Sequence, residues 1–129
     1  MTESHPLVTI ETIVLIGIGG FAGSNLRYFV GTVLPGLQGT VLVNALGSFV
    51  LGFLLYEAMH LGVLSGETKV AAATGFLSSF TTYSTFAVET MLTPEWAVAN
   101  VLASYALGFG GVLIARRAVA TFERREDRW

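Results

Sequence analysis

The sequence predicts an all-α membrane protein with four transmembrane helices, and three observations lead there. Of its 129 residues, 53% are hydrophobic and only 12% charged, and the mean hydropathy is +0.67. Soluble domains carry about 25% charged residues, so this chain has too little polar surface to cover a globule in water. Four stretches reach the ~20 mostly apolar residues that cross a bilayer core. Proline and glycine fall between those stretches, where a helix would stop.

The spans are 12–34, 39–61, 69–91 and 96–115, with Pro35, Gly62, Gly66 and Pro94 in the gaps. Their connections are short, so neighbouring spans run antiparallel within a single domain covering the chain, without a 20–50-residue repeat. The N-terminal residues carry two acids and no Lys or Arg before the first apolar run. A secretory leader needs a basic start and a small-residue cleavage site, so the first segment reads as a retained span. With no cysteine, disulfide frameworks and thiolate metal sites are excluded. His5 and His60 are too far apart in sequence to build a metal cluster.

An even number of spans puts both termini on one side, together with the second connection. That side holds Lys69, Arg116, Arg117, Arg124, Arg125 and Arg128, while the two opposite loops hold no basic residue. By the positive-inside rule the termini are cytoplasmic, in a multi-pass protein of the cell membrane. The lipid bilayer is the surrounding partner, and no nucleic-acid partner is expected. Helices in lipid associate through small residues. Gly19 and Gly23 form a small-xxx-small pair, and Gly47, Ser48, Gly108, Gly110 and Gly111 smooth the second and fourth spans.

Polar residues at membrane depth are expensive and mark functional sites. Arg27 in the first span must pair, snorkel or face water. Asn44 in the second, taken alone, reads first as glue between helices through interhelical hydrogen bonds. The third span carries SSFTTYSTF, in which Ser78, Ser79, Thr81, Thr82, Ser84 and Thr85 place six hydroxyls in nine residues. Isolated Ser or Thr side chains bond back to the preceding turn, but a run this dense predicts a break in the helix. Irregular backbone at that depth must be buried or line a cavity, and freed carbonyls there can coordinate a cation. Tyr83 and Phe86, three residues apart, project from one face. Asn100, Ser104 and Gly108 form a stripe at i, i+4, i+8 that faces either a wet cavity or another helix.

Three blocks in this order, GGFAGSNLRY, GTVLVNALGSF and GFLSSFTTYSTF, resemble the GGxxGAxxRY, GTLxVNxxGSF and GFxGGxTTFSTF patterns of the fluoride channel family known as Fluc or CrcB. The resemblance covers nearly the whole chain. It implies a channel that exports cytoplasmic fluoride passively and reduces its toxicity, built as an antiparallel dimer with two pores at the interface. It makes Asn44 the pore asparagine, Tyr83 and Phe86 the pore aromatics, Ser104 part of a hydroxyl track and Arg27 the arginine near the pore entrance. Ser84 and Thr85 join the fluoride pore as hydroxyl donors. The backbone carbonyls of Ser78 and Thr81 would hold a structural sodium ion (Na+) at the dimer centre. Three positions depart from the pattern: Ser78-Ser79 replaces Gly-Gly, Tyr83 replaces Phe, and Asn100 stands where Tyr is common. The chemistry suits fluoride, a small and strongly hydrated anion that needs dense neutral donors and positive ring edges from which it can still escape.

Two other classes of membrane protein offer rival readings. Half of a small multidrug antiporter has four spans but needs a carboxylate deep in its first, where only Glu11 stands at the edge, while Glu57 and Glu89 lie near span ends. A non-transporting membrane assembly subunit would explain the glycines but not the hydroxyl run. No nucleophile–base pair or metal triad suggests an enzyme. The basic bias bears on the partner too. An antiparallel homodimer requires one sequence to insert both ways, so of the two possible partners, a second copy of this chain or a homologous subunit of opposite orientation, the one-sided arginines favour the homologous subunit.

Overall fold

The computed structural model describes residues 5–127; Arg128 of the basic side and the first four residues lie outside them. Every regular element among these residues is helical. Helix α1 spans Pro6–Val33 and α2 spans Leu37–His60. Helix α3, Gly66–Val70, continues through a π-helical stretch, Ala71–Leu77, into the single turn α4, Ser78–Phe80. Two extended residues follow before α5, Tyr83–Leu92. A 3-10 turn, Pro94–Trp96, then opens α6, Ala97–Glu126. Helices α1, α2 and the run Pro94–Glu126 are each long and apolar enough to cross a membrane.

The helix ends follow local chemistry. Pro6 sits in the first turn of α1, where its missing N–H costs nothing, and His5 Nδ1 accepts the Leu7 N–H at 3.2 Å. Helix α1 therefore begins before residue 12. Helix α2 ends where Gly62 adopts a positive φ of 64°, which a side chain would disfavour. Helix α6 outruns its apolar stretch by eleven residues, from 115 to Glu126. The reason is packing: Ala115 and Val119 are fully buried, and Phe122 meets Phe53 of α2 edge-on with ring centroids 6.5 Å apart.

Two helix pairs make the body of the protein. Helix α2 packs along α6, and α1 packs along the π-helical stretch and α4. The second pair is glycine-mediated. A Cβ on Gly23 would overlap the Phe76 carbonyl and lie 3.1 Å from Phe80 N, and one on Gly75 would come within 2.6 Å of the Ile16 carbonyl. Backbone meets backbone here, so α1 rigidly fixes the depth of the segment that carries the two extended residues.

A buried carboxylate fixes the other end of that segment. Glu57 is 2% exposed, and its Oε1 accepts the Val63 and Leu64 N–H groups at 2.6 and 2.8 Å. Lys69 Nζ lies 3.9 Å from Oε2. The loop after α2 is thereby tied to α2 itself and to α3.

Candidate functional site

Helix α4 stops because Thr81 and Thr82 are extended, with φ/ψ of −84°/159° and −150°/119°. Helix α5 restarts on a threonine cap: Thr82 Oγ1 accepts the Thr85 N–H at 3.2 Å, a standard N-terminal solution. An interruption of this kind releases backbone groups that need partners. Asn44 of α2 supplies two of them, since its Oδ1 accepts the Thr82 N–H at 2.8 Å and its Nδ2 donates to the Thr82 carbonyl at 2.9 Å. One turn further along α2, a Cβ on Gly47 would overlap the Thr81 methyl group. Asn44 and Gly47 together form a seat for the interruption.

Arg27 of α1 approaches from the other side and donates through Nη1 to the Thr81 carbonyl at 3.4 Å. It is half-buried and pairs with backbone. The hydroxyl run behaves in two ways. Ser78 Oγ returns to the Thr74 and Gly75 carbonyls, and Thr81 Oγ1 returns to Leu77 O at 2.9 Å, so both bond locally. Thr82 Oγ1 donates to Thr85 Oγ1 at 3.1 Å and lies 3.4 Å from Ser84 Oγ.

A cavity of about 620 Å³ opens beside the interruption, lined among others by Asn44, Ser78, Thr81, Tyr83, Phe86 and Ser104. The Tyr83 and Phe86 rings stand 6.0 Å apart on its wall, and Tyr83 is 79% exposed. Ser104 Oγ is buried with no hydrogen-bond partner among the described residues. Arg27 and Thr85 are not on this cavity. They line a second one of about 530 Å³ between α1, α2 and α5, shared with Thr40, Thr82 and Glu89. Ser84 lines neither. The α6 stripe divides: Ser104 and Gly108 face the first cavity, whereas Asn100 is buried and donates to Thr90 Oγ1 at 2.8 Å.

Three features had not been singled out in the sequence. Thr82 is held through its backbone, which side-chain chemistry does not advertise. Gly47 counted only as a packing glycine, although its spacing of three from Asn44 places both on one face of α2. Glu89 Oε1 accepts from Thr40 Oγ1 at 3.1 Å although Glu89 had been placed merely near a span end.

Neutral polar side chains and two aromatic rings thus share one cavity. Residues 14–116 match the family described as "CrcB-like protein, Camphor Resistance (CrcB)". Across 95% of this chain and 96% of the relative, 71% of residues are identical to the "Fluoride-specific ion channel FluC 1" of Haloarcula marismortui. Identity is 47% with "Fluoride-specific ion channel FluC 2" of Halobacterium salinarum, covering 88% and 91% of the two chains. It is 38% with "Fluoride-specific ion channel FluC" of Oceanobacillus iheyensis, covering 92% and 98%. The chain belongs to the CrcB family.

Proposed function

We propose that this protein is the subunit of a fluoride-selective channel that lets the ion run passively out of the cell, and that it is not an enzyme. The observation that carries the reading is the convergence of Asn44, the Tyr83–Phe86 ring pair and the unpartnered Ser104 hydroxyl on one cavity beside the interrupted helix. Asn44 Nδ2 has two N–H groups and spends one on Thr82, leaving one for the ion. Ser104 contributes a hydroxyl. The ring edges add positive quadrupole without a full charge, so the ion is held and released. Ser84 and Thr85 serve the approach to this constriction, Thr85 with Arg27 from the second cavity.

The interrupted segment 66–92 is the remaining crossing, which makes four, with both termini cytoplasmic and the basic residues beside them. One subunit leaves the cavity open and Tyr83 exposed, so a second subunit in antiparallel orientation closes the pore. The one-sided basic residues favour a homologous partner of reversed bias over a second copy of the same chain.

A structural sodium ion would sit on the carbonyls of Ser78 and Thr81, two from each subunit. The local geometry is compatible with it. Thr82 N–H goes to Asn44 rather than to the Ser78 carbonyl it would meet in an unbroken helix, and both residues line the cavity. The Thr81 carbonyl keeps a second lone pair beside its bond to Arg27. When bound, the ion would neutralise converging carbonyl dipoles.

Purified protein in liposomes tests the function. Fluoride efflux with little chloride efflux is expected, and equal efflux of both ions would overturn the reading.

A further inference from the structure

We infer that Asn44 is a positioning residue as well as an ion donor: its amide clamps the Thr82 backbone and thereby fixes where α5 and its two aromatic rings begin. The inference rests on the fluoride-conduction reading and adds a second job for one of its residues.

One side-chain amide pairs with both backbone groups of a single residue, and so ties together the two peptide units that flank it. Asn44 Oδ1 and Nδ2 meet the N–H and C=O of the same residue, at 2.8 and 2.9 Å. Two bonds to one residue fix direction as well as distance, which a single bond does not. Thr82 is 8% exposed, and an unpaired buried backbone group is costly. The side-chain geometry also fixes which way the amide must face, because only one orientation matches a donor to the carbonyl and an acceptor to the N–H.

The rest of the surroundings are built to fit. Gly47 clears the space that the Thr81 methyl enters, and Ser48 Oγ donates to the Asn44 backbone carbonyl one turn earlier at 2.9 Å, so it does not compete for the side-chain amide. Thr82 is both the clamped residue and the cap of α5. Tyr83 follows it directly, and Phe86 lies three residues further on. A shift at Thr82 therefore moves both rings along the cavity wall.

Hydrogen exchange and flux, read together, separate the clamp from simple donation. In Asn44→Ala, the Thr82 amide should exchange roughly tenfold faster, as expected for one lost bond, and fluoride flux should fall in the same protein. Unchanged exchange with lost flux would show that Asn44 serves the ion alone, overturning the clamp while leaving the channel reading intact. Faster exchange with wild-type flux would also overturn the inference, because the clamp would then position nothing that matters. Replacing the Thr82 peptide N–H by an ester oxygen is the second arm, and it covers the case in which Asn44→Ala does not assemble. The ester removes the clamp bond to Oδ1 and leaves the Asn44 side chain, with its second Nδ2 N–H, as available to the ion as before, so a several-fold loss of flux is expected and wild-type flux would refute the inference. Absence of fluoride flux from the unmodified protein would instead defeat the channel reading itself.

Discussion

Glycine-to-alanine changes at two positions of α1 should have opposite effects, and the difference measures how tightly this helix holds the interrupted segment. At Gly17 an added Cβ meets nothing within 4 Å. There, alanine removes glycine's backbone entropy from a helix interior and stabilises by about 0.5–1 kcal/mol. At Gly23 the same methyl group overlaps the Phe76 carbonyl and lies 3.1 Å from Phe80 N. Neither neighbour is the tip of a flexible side chain, so relief requires one helix to retreat. Overpacking of this kind costs about 1–3 kcal/mol, against the same ~0.5–1 kcal/mol gain in propensity.

The net expectation is a loss of up to about 2 kcal/mol for Gly23→Ala and a slight gain for Gly17→Ala. Detergent-solubilised protein unfolded by titrated denaturing detergent provides the comparison. Flux should separate the two variants as well. A retreat of the segment at Phe76 is carried through α4 to Thr81, which Gly47 admits with no room to spare. Equal stability of the two variants would refute the close backbone contact, and a stable Gly23→Ala protein with normal flux would show that α1 does not set the segment's position.

Other outcomes follow from the same contacts. Phe86→Ala should lower fluoride flux about tenfold, since aromatic pair and edge interactions are worth about 0.5–1.5 kcal/mol and 1.4 kcal/mol is a factor of ten; stopped-flow or electrode efflux from liposomes measures it. Glu57→Ala should destabilise by about 1–3 kcal/mol, the usual cost of leaving hydrogen-bonding groups without their partner, whereas Glu57→Gln keeps an acceptor for the loop N–H groups and should lose less in the same unfolding assay. Reporter fusions at the two ends should both report the cytoplasm, and substantial signal from both sides of the membrane would indicate dual insertion.

Membrane character was open to the sequence because burial in lipid demands a run of apolar residues and nothing subtler. The ends were less open. Helix α6 continues to Glu126 because its charged turns keep packing on α2 through Ala115 and Val119, and that contact has no signature in the hydropathy of either helix. At the site, Asn44, Tyr83, Phe86 and Ser104 were legible as polar or aromatic groups standing where lipid would forbid them or as parts of a recognisable motif. What each one touches was not. The dense hydroxyls suggested donors for an ion, yet Ser78 and Thr81 spend theirs on the preceding turn, the ordinary behaviour of Ser and Thr in a helix. Arg27 left three options open in sequence, and a backbone carbonyl 54 residues away decided among them. Such choices depend on which helix lies alongside, and hydropathy carries no information about neighbours.

An interruption in a helix is costly wherever the freed backbone groups are buried without partners, and the protein answers that cost unevenly. Thr81 N–H still reaches Leu77 O at 3.0 Å, Thr82 is satisfied on both sides by Asn44, and the Thr81 carbonyl has Arg27. The Ser78 carbonyl has lost its helical donor to Asn44. What the protein leaves over is therefore of one kind on each side of the interruption. Carbonyl ends collect where α4 stops, and N–H ends collect where α5 begins, the negative and positive poles of two short helix dipoles. Carbonyl ends suit a cation and N–H ends an anion, which is how discontinuous helices in membranes come to serve ions of both signs. The clamp by Asn44 removes Thr82 from this competition, and it leaves the Ser78 carbonyl, on a residue that lines the cavity, without its helical donor.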